Sequence, residues 1–359
     1  MVKLILLGLL AGALFSSTFI LNELMSGAGG HWFWSASLRY VFMWLILTVI
    51  ISIQHGFGRI KALFAIFFEH WQFWCITGTI GFGLFYSGIC YAGDHVAGWV
   101  VAATFMFTVV TSLLVLVAFG QRFAKKFIAY AVLVFIGVAL VNISEGLRAS
   151  DAIDATAPMS EMLLFGALPA LLAAFCYPIG NQLVWQVSYN SRNSRKRIRK
   201  IRELTAANPL NENLQTEPTT EEPLLTSPLA RLIAKVPSID TDLLQNAFNK
   251  VWLMTLGSLP FWIILGVIVR PDTPSASQMF NTLLVALLAG VGATSIFFFA
   301  RERAVTSSEV AGVDSTQASE VVFALIGGII LLNNALPSFM GVFGIVLIIT
   351  GLILFAKNG

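Results

Sequence analysis

Ten apolar runs, separated for the most part by short polar stretches, organise this chain. They lie near 4–22, 32–53, 71–92, 97–119, 126–143, 161–186, 248–269, 280–300, 309–332 and 337–356. A helix rising 1.5 Å per residue needs about 20 residues to cross a hydrocarbon core of ~30 Å. Backbone N–H and C=O groups find no partners in lipid, so each run predicts a helix. The pattern predicts an all-α integral membrane protein with ten transmembrane helices. The one long polar stretch, 187–247, falls between the sixth and seventh runs.

The runs repeat. At a constant offset of 212, Phe119-Gly120-Gln121-Arg122 lies over Leu331-Leu332-Asn333-Asn334, and Phe127 over Phe339. A weaker echo at offset 159 links Thr18–Leu24 to Tyr177–Leu183. Five helices per copy is an odd number, so the second copy enters the membrane from the opposite side. The expected organisation is two inverted five-helix repeats, 1–150 and 151–186 with 248–359, interrupted by a basic and disordered cytoplasmic insert at 187–247. Inverted repeats are how secondary transporters build a mid-membrane site with two alternating exits.

Charge orients the runs. With the N-terminus in the cytoplasm, all but Arg39, Arg148 and Arg270 of the 22 Lys and Arg residues fall on the inner side. The positive-inside rule therefore places both termini in the cytoplasm of a multi-pass plasma-membrane protein. The inner loop around Arg122, Lys125 and Lys126 is basic, whereas its repeat partner 332–338 carries no cation. Trp32, Trp34 and Trp99 at outer borders and Trp71, Trp74, Trp185 and Trp252 at inner ones are expected to form aromatic belts. The run Arg192–Arg202 reads as a basic anchor facing anionic lipid, not nucleic acid.

Composition narrows the classes that remain. Hydrophobic residues make up 57% of the chain and charged ones 11%, against roughly 25% charged in soluble domains. Cys75, Cys90 and Cys176 lie inside apolar runs and read as small apolar residues rather than a disulfide framework. The four histidines show no ligand spacing, and no motif for hydrolysis, nucleotide or metal binding is present. No enzyme activity, metal or cofactor is expected. The first run continues to Leu21 and reads as a retained helix rather than a cleavable signal.

Polar residues inside the apolar runs carry the candidate chemistry. In the ninth run Asp314, Gln317 and Glu320 fall within an arc of about 120° on one helix face. An ionised carboxylate at the Glu320 position is costly, so it faces the bundle interior, pairs with a cation, or binds a proton. Arg39 is the basic residue deep inside a run. It can pair with Glu320 or Glu23, bind an anionic substrate group, or snorkel outward. Thr18/Asn22 and Tyr177/Asn181 are i, i+4 pairs at equivalent repeat positions, suited to a cavity lining or to interhelical hydrogen bonds. Pro178 and Gly180 beside them predict a bent helix with a freed carbonyl. Tyr86 and Thr104 are weaker cavity candidates.

Several of these segments resemble a known group. Phe119-Gly120-Gln121-Arg122 followed by Gly137–Asn142 resembles the last-helix signature of small multidrug resistance proteins. Ser319–Gly328 resembles the ninth helix of ten-helix transporters of the drug/metabolite transporter superfamily. Ser16–Glu23 with His31–Tyr40 is similar to the multidrug-resistance efflux transporter branch of that superfamily. The resemblance implies ten helices, inverted halves and export of small organic molecules. Small multidrug resistance proteins exchange protons for cationic drugs through a glutamate in their first helix. Here Ser17 stands at that position and Glu23 lies at the helix end, which leaves Glu320 as the candidate for coupling.

The expected function is a monomeric secondary transporter exporting drugs or metabolites by alternating access, with the lipid bilayer and a small-molecule substrate as partners and protons as the candidate coupling ion. A membrane scaffold or sensor acting through 187–247 is the alternative. Topology is directly measurable. In a chain freed of its three native cysteines, Ser150→Cys and Thr273→Cys should react with an impermeant thiol reagent from outside the cell. Ser194→Cys and Lys357→Cys should react only after the inner face is exposed. Labelling of the Ser194 position from outside would remove the inverted-repeat argument.

Overall fold

A computed structural model describes residues 2–119, 125–151, 159–207, 236–239, 241–303, 313 and 316–358. Among these the protein is entirely helical. In chain order the helices are α1 (Val2–Gly27), α2 (Trp32–His55), α3 (Phe57–Glu69) and α4 (Trp71–Gly93). Next come α5 (Gly98–Phe105 and Thr108–Ala118), α6 (Lys126–Asp151), α7 (Leu168–Ala207) and α8 (Ala247–Val269). The chain closes with α9 (Ala276–Val285 to Thr294–Arg303), α10 (Ser319–Leu332) and α11 (Phe339–Asn358). Eight of them, α1, α2 and α4–α9, are long and apolar enough to cross a membrane. The apolar segments at Thr316–Leu332 and Phe339–Leu354 are shorter.

The described helices carry apolar side chains on their outer faces and bury polar groups between them, the arrangement a bilayer requires. Ile263, Ile264, Val267 and Ile268 on α8 are exposed, whereas Thr255 and Ser258 on the same helix are fully buried. Buried hydroxyls bond back to their own helix, as Thr255 does to the Val251 carbonyl at 2.7 Å and Thr104 to the Val100 carbonyl at 2.8 Å. Each such bond satisfies a polar atom where water is absent.

Glycines set the closest crossings. A Cβ on Gly78 of α4 would lie 2.5 Å from the Met254 carbonyl oxygen of α8, and one on Gly257 would lie 2.6 Å from the Trp74 carbonyl carbon. Gly137 and Gly344 join α6 to α11 in the same way, each facing the other's carbonyl. Gly81 of α4 meets Gly180 of α7, where a Cβ on Gly81 would be 3.0 Å from the Gly180 Cα. Small residues let helix backbones approach where lipid supplies no hydrophobic drive.

The packing partners form a pattern. α4 packs on α8 and α7, while α9 packs on α2 and α1; α5 packs on α7, while α10 packs on α1. The pairs α2–α8, α5–α10 and α6–α11 pack closely too, as does α2–α4. Mid-helix irregularities occur in related places: α4 is π-helical over Thr79–Leu84 and α9 over Ala286–Ala293. α5 breaks into a turn at Met106–Phe107, and a 3₁₀ turn, Thr316–Ala318, leads into α10.

Three expectations change. The stretch after the second span, expected as a loop, folds as α3, which buries Ile60, Leu63, Ile66 and Phe67 on one face. At 13 residues it is too short to span and has the stripe of an interfacial helix. α7 continues as helix past the sixth run to Ala207, so the basic run Arg192–Arg202 is helical. Trp74, Trp99 and Trp252 are not belt residues: each is at most 1% exposed, and the Trp252 indole donates to Thr48 Oγ1 at 2.7 Å. They fill the core between helices, while Trp71 remains exposed.

Gly257→Leu should lower the yield of monodisperse protein severely, because the added side chain meets backbone that cannot yield. Gly27→Ala, which meets nothing within 4 Å, should leave yield and thermal midpoint unchanged. Size-exclusion profiles of the two variants check this, and a normal profile for Gly257→Leu would refute the crossing.

Candidate functional site

A cavity of about 1050 Å³ opens among α1, α2, α4, α5, α7, α8, α9 and α10. α1 contributes Thr18 and α2 contributes Arg39 and Tyr40; α7 contributes Tyr177 and Asn181. Gln317 and Glu320 come from α10 and the turn before it. Both π-helical stretches border the space, through Phe82 in α4 and Gly290 in α9, as does the α5 break through Met106 and Thr108. A locally unwound or widened turn is how a spanning helix re-aims side chains into an interior space.

Arg39 is 8% exposed and its guanidinium lies over the Tyr86 ring, 4.1 Å from the centroid. Tyr40 stacks between Phe82 and Trp262, with centroids 5.0 and 5.8 Å away. Phe85, Phe105 and Tyr177 make a second aromatic cluster, which joins the first through Tyr86; Phe85 and Tyr177 are 5.0 Å apart. Glu320 is buried at 8% exposure and lines the same space. Among the described residues no carboxylate lies within ion-pairing distance of Arg39.

The sequence candidates divide clearly. Thr18, Arg39, Tyr177, Asn181, Gln317 and Glu320 converge on the cavity. Asn22 does not line it: its side chain is buried and donates to the Tyr86 hydroxyl at 3.2 Å. Asp314 lies outside the described residues. Tyr86 is fully buried beneath Arg39, and Thr104 accepts from Asn142 Nδ2 at 2.8 Å, so neither lines the cavity. The carbonyl freed by Pro178 is that of Ala174, and Thr111 of α5 donates to it. That carbonyl serves interhelical packing and is not left for a ligand.

Sequence reasoning missed the aromatic lining. Phe82, Phe85, Phe105 and Trp185 look like any other apolar residue in a spanning run, and Trp185 had been assigned to a belt. It missed Gln245 and Lys250 as well, because they precede or begin α8 at a loop border. Beside the main space a smaller opening of about 280 Å³ lies between α5 and α7 and shares Tyr177, Asn181 and Trp185 with it. Asn181 is thus accessible from both.

The lining extends to Thr241–Lys250, at the start of α8, whereas on α1 it ends at Phe19 and on α2 it begins at Arg39. Beyond that limit Glu23, near the end of α1, is the centre of a polar joint. Its carboxylate accepts from the Gly98 backbone N–H at 2.6 Å and from Asn334 Nδ2 at 2.7 Å. Gly98 begins α5, where the N–H groups have no partner within the helix and the dipole favours an anion. Asn333 ends α10 in the left-handed conformation, φ 56°, and the turn it makes presents Asn334 to Glu23. Further joints surround it. Gln278 Nε2 donates to the His31 carbonyl at 2.8 Å and to Ser35 Oγ at 3.0 Å, and the Trp34 indole donates to the Asp272 carbonyl.

Comparison with known proteins adds a framework. Residues 2–358 match the family model EmrE, described as "Putative multidrug resistance efflux transporter". The chain is 30% identical to "Uncharacterized protein YjlA" of Bacillus subtilis (strain 168), covering 98% of this chain and 94% of that one. It is 31% identical to an uncharacterized 42.1 kDa protein of Shouchella clausii, over 84% of this chain and 65% of that protein. A solved structure described only as "Crystal structure of protein" superposes with a TM-score of 0.53 at 14% identity, covering 100% of this chain and 99% of that one. That likeness concerns the fold alone.

The Glu23 joint predicts a sided accessibility. With native cysteines replaced, Thr18→Cys should react with an impermeant thiol reagent from the Thr241–Lys250 side and hardly at all from the other. Adding Glu23→Ala leaves two donors unpaired, at about 1–3 kcal/mol each, and should raise reaction from the Glu23 side severalfold. Equal labelling from that side with and without Glu23 would show that the seal lies elsewhere.

Proposed function

The chain belongs to the EmrE multidrug resistance efflux transporter family, and we propose that it is a secondary transporter that exports small organic solutes by alternating access, here open toward the cytoplasm. The fold behind this reading is ten membrane helices in two inverted five-helix halves, with α3 lying at the interface. Exchanging the halves, α1 for α7, α2 for α8, α4 for α9, α5 for α10 and α6 for α11, turns each of the packing pairs named above into another or into itself, except α2–α4, which has no α8–α9 counterpart. The offset of 212 carries the Met106 break of α5 onto Ala318 before α10, and carries Thr108 onto Glu320, both cavity residues.

The observation that carries the proposal is where this exchange fails. α1 also packs on α2, α4 and α5. Among the described residues α7 makes no comparable packing with α8, α9 or α10, and the cavity lies between them. One half is closed around its first helix while the other stands open around its equivalent. Interconverting the two arrangements would close the cavity at Thr241–Lys250 and open the Glu23 joint, moving access across the membrane. Asn22 and Asn181, at equivalent positions, fit the same scheme: one is sealed and the other accessible, and the two would exchange.

The basic loops support a cytoplasmic position for both termini and for the Thr241–Lys250 end of the cavity in a plasma-membrane protein. A single chain supplies both halves, so a monomer suffices. Glu320 is the coupling residue in this scheme. It is the acidic side chain among the described lining residues, and it makes no ion pair there. A solute and a proton arriving at one cavity from opposite sides is the arrangement that exchange demands.

In proteoliposomes carrying an internal pH indicator, the wild-type protein should couple addition of transported solutes to proton movement. Glu320→Gln keeps shape and removes titration, so coupled movement should fall by roughly tenfold or more, about 1.4 kcal/mol in the barrier. Its thermal midpoint should stay close to wild type. Wild-type proton movement in that variant would reduce Glu320 to a structural residue. The absence of any solute-driven flux across a broad compound panel would sink the transport proposal itself.

A further inference from the structure

We infer that the cavity selects solutes carrying a carboxylate on an aromatic body, with Arg39 as the residue that receives the carboxylate. This rests on the transport reading of the cavity and specifies its substrate class. It departs from the cationic cargo to which the family resemblance points.

The first ground is an unanswered charge. Arg39 is more than nine-tenths buried, lines the cavity, and is permanently cationic. Its Nε is buried without a hydrogen-bond partner. The groups close enough to act on it electrostatically are Tyr86, Tyr40 and Cys90, and none of them is a carboxylate. Glu23 is engaged by Gly98 and Asn334 away from the cavity lining, and Glu320 is beyond ion-pairing range. Tyr86 answers part of the charge through its ring quadrupole and a hydrogen bond, but it is a neutral group and Nε is left without an acceptor. A buried guanidinium with donors left over is stable only when something supplies the acceptors.

The second ground is the sign of the lining. Of the charged lining residues, Lys250 at the start of α8 is engaged in an interaction of its own, which leaves Arg39 and Glu320. With Glu320 protonated, Arg39 is the charge that remains. A lipophilic cation would bind against that field, whereas an anion binds with it.

The third ground is shape. Nε and one Nη of a guanidinium present two parallel N–H donors, the geometry that a planar carboxylate accepts in bidentate fashion. The walls around Arg39 are aromatic: Tyr40, Phe82, Phe85, Phe105 and Tyr177. Flat faces at this density suit an aromatic ring, packed by offset or edge contacts. Carboxylate at Arg39 and ring among the phenylalanines is one pose that uses both features.

The test uses three ligands with one body: hydrocinnamate, its uncharged amide, and phenylpropylammonium. Each is titrated against the full-length protein in nanodiscs by tryptophan fluorescence, for which Trp185 in the lining is a reporter. Wild type should bind the carboxylate at least about tenfold more tightly than the amide or the ammonium, as expected for a charge-assisted bidentate pair. Arg39→Lys keeps charge without the fork and should lose much of that preference. Arg39→Gln should abolish it, leaving the amide equal to the carboxylate. The comparison within wild type stands even if a variant fails to fold.

A wild-type preference for the ammonium, equal binding of all three, or binding of none would overturn the inference. So would an undiminished carboxylate preference in a folded Arg39→Gln protein. Carboxylate binding without solute-driven proton movement would support the inference while removing the transport proposal. Proton movement driven only by ammonium compounds would do the reverse.

Discussion

Helices in hydrocarbon gain nothing from hiding apolar side chains from one another, since lipid is as apolar as leucine. What holds this bundle together is close approach of backbones at glycine, and the rest of the structure follows from where those glycines lie. Gly78 with Gly257 fixes α4 against α8, and Gly137 with Gly344 fixes α6 against α11. Gly81 and Gly180 bring α4 and α7 together beside Phe82 and Tyr177, at the edge of the cavity. The crossings decide which helices touch and, by leaving gaps elsewhere, where an interior space can exist.

That space has two properties that ordinary packing would not produce. It is lined by Arg39 and Glu320, which do not pair with each other, and the helix ends beyond Phe19 and Arg39 are joined by polar contacts instead of apolar ones. Glu23 between Gly98 and Asn334, and Gln278 between His31 and Ser35, are hydrogen-bonded joints between helix ends. Such joints exchange readily for water when they open, whereas a glycine crossing does not. The fold therefore holds two kinds of contact between helices, glycine crossings and hydrogen-bonded joints at helix ends.

Much of the site was legible because polar residues inside apolar runs are costly and so conspicuous. Thr18, Arg39, Tyr177, Asn181, Gln317 and Glu320 stood out for that reason, and they share one cavity. Asn22 stood out equally, yet its amide holds Tyr86 in place. The aromatic walls could not be read, since Phe82 or Phe105 in a spanning run has the same appearance whether it faces lipid, core or cavity. Tryptophans near run borders misled for the same reason: Trp74 and Trp252 sit at the expected depth but point inward. α3 was missed because it is too short for a span and its stripe is visible only in helical register.

The sequence by itself determined solvent and class. Apolar runs of spanning length in a chain only 11% charged demand a bilayer, and lipid demands helices. Those are sums over many residues, and they do not depend on which residue touches which. Tertiary structure alone decided the rest: that Glu320 and Arg39 line one cavity without pairing, that Thr111 takes the carbonyl freed by Pro178, and that Glu23 joins helix ends. Each of these depends on the rotation of one helix against another by a fraction of a turn. Backbone contact at a few glycines sets that rotation, and hydrophobic patterning along a chain surrounded by lipid carries no information about it.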